Sequence, residues 1–264
     1  MTTTVLRKLL TLGLAVATGV IVIWTNLQSN ITIASYSNLL TKQSQYASDL
    51  ITSLPSSPTS SLPSSVPPPQ AHPLPPTLAQ WQDSKNSGDY FSQVSPTKVG
   101  YLVWSQFPVK VYIEPLNTLT GKQAEAWVNN VLEAVKEWNA YLPLIITEKP
   151  EIADITIVRK APPLQTNPSS KIPRARSAQT TYNYISKNNL LSHSFTILLS
   201  PSQTGQYLTA ATRHELGHAL GIWGHSPLQT DALYFSQVRN PSPISSRDVN
   251  TLKRVYEQPT SLGW

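Results

Sequence analysis

The stretch HELGHALGIWGH, His214 to His225, constrains the fold more than any other part of the chain. It holds three of the five histidines. Residues four apart on an α-helix lie on one face, so His214 and His218 point the same way only if a helix runs through them. Gly221 follows three positions after His218. Glycine readily takes the left-handed conformation that ends a helix and turns the chain back. The return through Ile222, Trp223 and Gly224 then offers His225 as a third imidazole. A fold that uses this stretch needs a helix ending at Gly221 and a tight return beneath it.

Imidazole nitrogens suit Zn²⁺, and a catalytic zinc takes three protein ligands and keeps a fourth position open. The spacing H-E-x-x-H also sets Glu215 about 100° round the helix from His214. There it is off the ligand axis but beside a water that the metal activates. His214, His218 and His225 are therefore the expected metal ligands and Glu215 the expected general base. A purely structural zinc site normally has four protein ligands, and Asp231 is the one candidate for a fourth. The chain has no cysteine, which excludes disulfides, thiolate ligands and a cysteine nucleophile. His72 and His193 lack such a context. His72 reads as part of a stalk, and His193 as a turn residue beside a strand.

Around this motif the patterning is that of one α+β domain over residues 99–258. In FPVKVYIEP, Val109, Val111 and Ile113 alternate with polar neighbours as in a half-buried strand. Thr120 and Gln123 have capping-box spacing. Ala124, Val128, Val131, Val135, Trp138 and Leu142 then form an apolar stripe on a helix of about six turns that Pro143 ends. ADITIVRK, TTYNYIS and SFTILLS read as further strands, with residues 161–180 as loop. The histidine helix runs from Thr204 or Gly205 to Leu220. A last helix starts at Ser245, with Val249, Leu252 and Tyr256 inward. Residues 259–264 are left as a tail.

Upstream of this domain, Arg7 and Lys8 precede an apolar run from Leu9 to Trp24, the layout of a signal sequence or membrane anchor. Residues 1–24 are read as an uncleaved anchor holding an exported (periplasmic or extracellular) domain; secretion after cleavage is the alternative. Residues 25–98 read as a largely disordered stalk, Pro- and Ser-rich from Leu54 to Gln80. The formal charge is +6, but the cations are scattered with no aromatic-interleaved basic face, which argues against nucleic acid. A monomer is expected.

HELGHALG, followed by histidine and SP, resembles the metzincin metallopeptidases, most of all the matrixin-type peptidase domain. TDALY resembles the family's methionine turn, SSRDVNTLKRVY its closing helix, and ADITI one of its strands. The resemblance covers roughly residues 100–258. It implies a zincin-like fold with a twisted mixed sheet over an active-site helix, a cleft bounded by an edge strand, and one catalytic zinc. The implied activity is a zinc metalloendopeptidase acting on protein or peptide substrates. The alternative is an inactive metzincin-like domain that binds peptides or wall components. Three departures stand out. Three residues rather than two separate Gly221 from His225, so Gly224 takes the expected histidine slot and eases the bend. Leu233 stands where the turn has methionine. There is no cysteine switch, and no counterpart of the extra metal loop between Ala161 and Ser194.

Overall fold

Alternation along VKVYI builds β1 (Val109–Ile113), with Val109 and Val111 buried. β3 (Ile155–Arg159) buries Ile155 and Ile157. β6 (Ala178–Lys187) and β7 (Leu190–Leu199) bury every second residue along most of their length. With β2 (Leu144–Ile146) they form one five-stranded mixed sheet in the order β2-β1-β3-β7-β6. β1, β2, β3 and β7 run parallel, whereas β6 pairs antiparallel with β7 at the edge, Thr180 opposite Ile197. This computed structural model describes Leu62 and residues 66–116, 119, 121–167 and 170–264. The expected anchor, most of the expected stalk and Thr120 of the expected capping box lie outside them. Among the described residues no helix is long and apolar enough to cross a membrane.

Among the described residues four α-helices complete the mixed α+β fold: α1 (Pro76–Gln80), α2 (Gly121–Asn139), α3 (Gly205–Ala219) and α4 (Ser246–Tyr256). α3 packs against α2 on one side and against β6 and β7 on the other. Trp138 of α2 donates its ring N–H to the Arg213 carbonyl at 2.8 Å. Arg213 grips Glu137 through two bonds of 2.5 and 2.8 Å. The histidine helix is thereby fixed between a sheet and a second helix. The capping box of α4 is formed as its spacing suggests, Ser245 and Asp248 bonding each other's backbone N–H.

Several expectations need correction. α2 ends at Asn139, whose side-chain oxygen accepts from the Leu144 N–H at 2.7 Å and turns the chain into β2 before Pro143 can act. Its buried face includes Trp127 and Ala134, rotated from the expected stripe, because burying an indole outweighs burying Val128. Residues 161–180 are not all loop: β4 (Gln165–Asn167) pairs antiparallel with β5 (Ser170–Arg174), and β6 begins at Ala178.

The boundary residues differ as well. Leu78, Tyr90 and Val94, upstream of Val99, are buried in the core. Gln70 and Thr260 exchange backbone bonds of 2.9 and 3.0 Å, and Ser261 Oγ donates to the Pro67 carbonyl at 2.6 Å. Thr260, Ser261 and Leu262 are buried. The last six residues are therefore a packed element that clasps residues 67–72 rather than a loose tail.

Candidate metal centre

α3 ends as its sequence suggests. The Gly221 N–H reaches the His218 carbonyl at 3.1 Å, and the Ile222 N–H reaches that of Gly217 at 3.0 Å. These are the two bonds of a Schellman cap, and Gly221 adopts a φ of +129°. The cap turns the chain under the helix and delivers His225. Ligand atoms of His214, His218 and His225 all lie within 4.8 Å of one another. The Nε2 atoms of His214 and His218 are 3.1 Å apart. Two nitrogens bound tetrahedrally at zinc-ligand distances sit about 3.3 Å apart. The three imidazoles thus form a cluster able to hold one metal ion.

The outer nitrogens explain the orientation. His214 Nδ1 lies 3.0 Å from the Ala232 carbonyl, and His218 Nδ1 lies 2.7 Å from the Ile222 carbonyl. A backbone acceptor at Nδ1 fixes the tautomer and turns a bare Nε2 inward. His225 Nδ1 is buried without a hydrogen-bond partner. Burial, followed by repulsion from His214, pushes the His218 pKa down to about 3. Burial, with His218, His214 and Arg176 adding to it, sends His225 well below its usual value. Both rings are neutral at pH 7, the state in which imidazole binds metal.

Glu215 is buried beside the cluster. Its Oε2 accepts from Thr180 Oγ1 at 2.6 Å, and its backbone carbonyl lies 3.1 Å from the same hydroxyl. Burial raises its pKa, while His214, Thr180 and Arg176 work against the rise. A carboxylate tuned upward and held by one hydroxyl suits proton transfer near neutral pH. The cleft over these groups encloses about 530 Å³ and is bounded by residues 175–180, which lead into and start β6, and by Asp231, Ala232 and residues 234–238.

The floor of the site is a turn held by α4. Asp248 accepts from the Ala232 N–H at 2.8 Å and from Tyr90 Oη at 2.5 Å. Leu233 is buried directly under Gly217, where an added Cβ would come within 2.6 Å of its side chain. Asp231 is committed elsewhere: Ser226, Ser245 and Arg247 bond its two oxygens at 2.5, 2.8 and 3.0 Å. It braces the turn. Gly224 does more than ease a bend. A Cβ there would lie 2.0 Å from the Gln93 carbonyl oxygen, so the upstream segment requires glycine at that position.

The other two histidines stand outside the site. His193 lies inside β7 rather than in a turn, buried, stacked on Trp104 at 4.1 Å, with neither ring nitrogen partnered. Burial takes its pKa down to about 3. His72 bonds the Leu262 carbonyl at 2.7 Å and stacks on Trp264, so it belongs to the clasp. Sequence reasoning did not find Thr180. Its signal was a polar residue in the inward phase of Ala178 and Tyr182. No protein-family model matches the chain, and no curated protein matches it.

Proposed function

We propose that the chain is a metzincin-type zinc endopeptidase, with His214, His218 and His225 holding the zinc and Glu215 as general base. One observation carries the reading. A buried carboxylate of raised pKa sits beside three convergent imidazoles, in a cleft along β6, which among the described residues has no strand paired to its outer edge. A structural metal site has no use for that carboxylate or for that opening. Zinc, when bound, supplies a Lewis acid that polarises a peptide carbonyl and acidifies water. Glu215 takes the water's proton and hands it to the leaving amine. Thr180 keeps the carboxylate turned toward the cleft. The turn at Ala232 and the cap carbonyl at Ile222 keep the imidazoles aimed. Leu233 fills the position of the family's methionine as an apolar floor. The exported, membrane-tethered placement rests on Arg7, Lys8 and the run from Leu9 to Trp24.

The test is metal content together with cleavage. The full-length chain is expected to hold one zinc and to cut some member of a peptide library in a chelator-sensitive way. A variant His225→Ala that keeps full zinc occupancy would remove His225 from the ligand set. Zinc-loaded wild type that cuts nothing would leave the peptide-binding domain as the better reading.

A further inference from the structure

Tyr90 stands outside the cleft yet reaches the turn behind it. Among the described residues of 66–98 none lines the cleft. The segment runs instead against α4, which supports the floor of the site. Asp248 and Thr251, three apart on that helix, share a face. Thr251 Oγ1 accepts from the Tyr90 N–H at 3.0 Å, and Asp248 Oδ1 accepts from Tyr90 Oη at 2.5 Å. Arg254, about one turn further on, pairs with the neighbouring Asp89 at 2.9 Å. Tyr90 is therefore buried and pinned at both its backbone and its hydroxyl.

From Asp248 the bonds continue to the imidazoles. Its Oδ2 accepts from the Ala232 N–H at 2.8 Å, and the Ala232 carbonyl lies 3.0 Å from His214 Nδ1. A hydroxyl on one carboxyl oxygen fixes the plane of the group, and with it the direction in which the other oxygen points. Two further ties run alongside. Arg247 donates to the Ser87 and Asp89 carbonyls at 3.2 Å each and to Asp231 Oδ2 at 3.0 Å. That same oxygen accepts from the hydroxyl of Ser226, the residue after His225. The Ser95 N–H donates to the Trp223 carbonyl at 3.1 Å, in the return between α3 and His225. Residues 87–95 thus meet the backing of the metal centre at several points, and Tyr90 begins the most direct path to a ring nitrogen.

We propose that Tyr90 is a positioning residue of the metal centre. Through Asp248 and the Ala232 peptide, its hydroxyl aims the His214 ring and so strengthens zinc binding. It acts from behind the site and meets neither the cleft nor the cluster of nitrogens. The inference rests on the zinc reading of His214, His218 and His225, and it holds whether or not the centre hydrolyses peptides.

The experiment measures zinc affinity of the full-length chain by chelator competition, and the visible spectrum of the cobalt-loaded form, which reports ligand geometry. Tyr90→Phe removes one oxygen and keeps the ring. It is expected to weaken zinc binding about threefold to tenfold, less than the loss from disturbing a ligand's own outer partner, and to shift the cobalt bands. Leu78→Val is the control: it lies in the same upstream segment and in the core, but off the path to His214. It should lower the melting temperature and leave affinity and spectrum alone. A double-mutant cycle tests the route. In an Asp248→Asn background, Tyr90→Phe should change zinc affinity by less than about twofold. The proposal is overturned if Tyr90→Phe leaves affinity and spectrum as in wild type, if Leu78→Val weakens zinc equally, or if the two losses of the cycle multiply. If wild type takes up no zinc or cobalt, the zinc reading falls. The Tyr90 inference is then decided by nitrogen NMR of the His214 ring in the metal-free chain. A tautomer that changes in Tyr90→Phe upholds it, and an unchanged ring overturns it.

Discussion

Two buried histidines, His218 in the candidate metal centre and His193 beneath the C-terminal clasp, are both held neutral with pKa values near 3. Their surroundings are opposite. His218 has a carbonyl at Nδ1 and two more imidazoles facing Nε2. His193 has Trp104 on its face and nothing at either nitrogen. The same desolvation therefore accompanies convergent nitrogens in one region and packing alone in the other. Burial and a shifted pKa do not single out a candidate metal ligand; convergence of nitrogens does. The wider regions differ in the same way. The centre is assembled from twelve consecutive residues and one turn. The clasp joins residues about 190 positions apart, as in His72 with Leu262.

The largest effect should come from breaking the clasp region. A chain starting at Ser95 loses Leu78, Tyr90 and Val94 from the core, at roughly 1.5–3 kcal/mol each. The sum, about 5–9 kcal/mol, rivals the whole stability of an ordinary domain. That fragment is expected to show no cooperative thermal transition, while one starting at Val66 keeps it. Equal melting of the two would show that the upstream segment is an accessory layer.

Next comes the centre itself. Glu215→Gln keeps an oxygen that can accept the Thr180 bond but removes the base. Hydrolysis of a cleaved peptide should fall by about 10²–10⁴ in rate with zinc content and melting temperature unchanged. Undiminished turnover in a zinc-loaded variant sinks the mechanism.

The histidine contrast is sharpened by pH. His193 is neutral in both folded and unfolded chains above about 6.5. Below that, the unfolded state takes a proton and the folded state does not, down to about 3. Stability from this group is thus complete above 6.5 and falls with acid by roughly 1.4 kcal/mol per pH unit, about 2 kcal/mol at pH 5. His193→Phe removes that loss. Denaturant titrations with chelator present should show the variant gaining about 2 kcal/mol on wild type between pH 7.5 and 5. A gap that does not change with pH means the ring is protonated or partnered in the folded chain.

Local pattern made the centre legible: the i, i+4 histidines, the terminating glycine and the alternating strands are rules of a single element. β2 carries no periodic signal because three residues are too few, and β4 and β5 carry none because they are short and largely polar, with a proline in β5. The order of segment 66–98 is hidden in the sequence for a different reason. Its composition is that of a spacer, and its order comes from partners far away in sequence, including Asp248 for Tyr90 and the Thr260 backbone for Gln70. The crossing over Gly224 lies between these cases. Its glycine was visible, but the Gln93 backbone that demands it was not.

The smallest effect should come from the floor of the centre. Leu233 is fully buried, and its methyl groups occupy the space that Gly217 leaves open under the histidine turn of α3. What aims His214 is the Ala232 carbonyl, and what places that carbonyl is the Ala232 N–H bonded to Asp248. Both are backbone groups, indifferent to the side chain at 233. A methionine has nearly the volume of leucine and more flexibility, so Leu233→Met should cost under about 1.5 kcal/mol. Zinc affinity and kcat/KM should stay within a few-fold of wild type. Asp248→Asn, by contrast, weakens the turn while leaving the floor intact, and should lower zinc affinity by roughly 10–100-fold, the usual cost of disturbing a ligand's outer partner. If Leu233→Met instead shifts zinc affinity more than tenfold while Asp248→Asn does not, the side chain of the turn, rather than its backbone, sets the metal geometry.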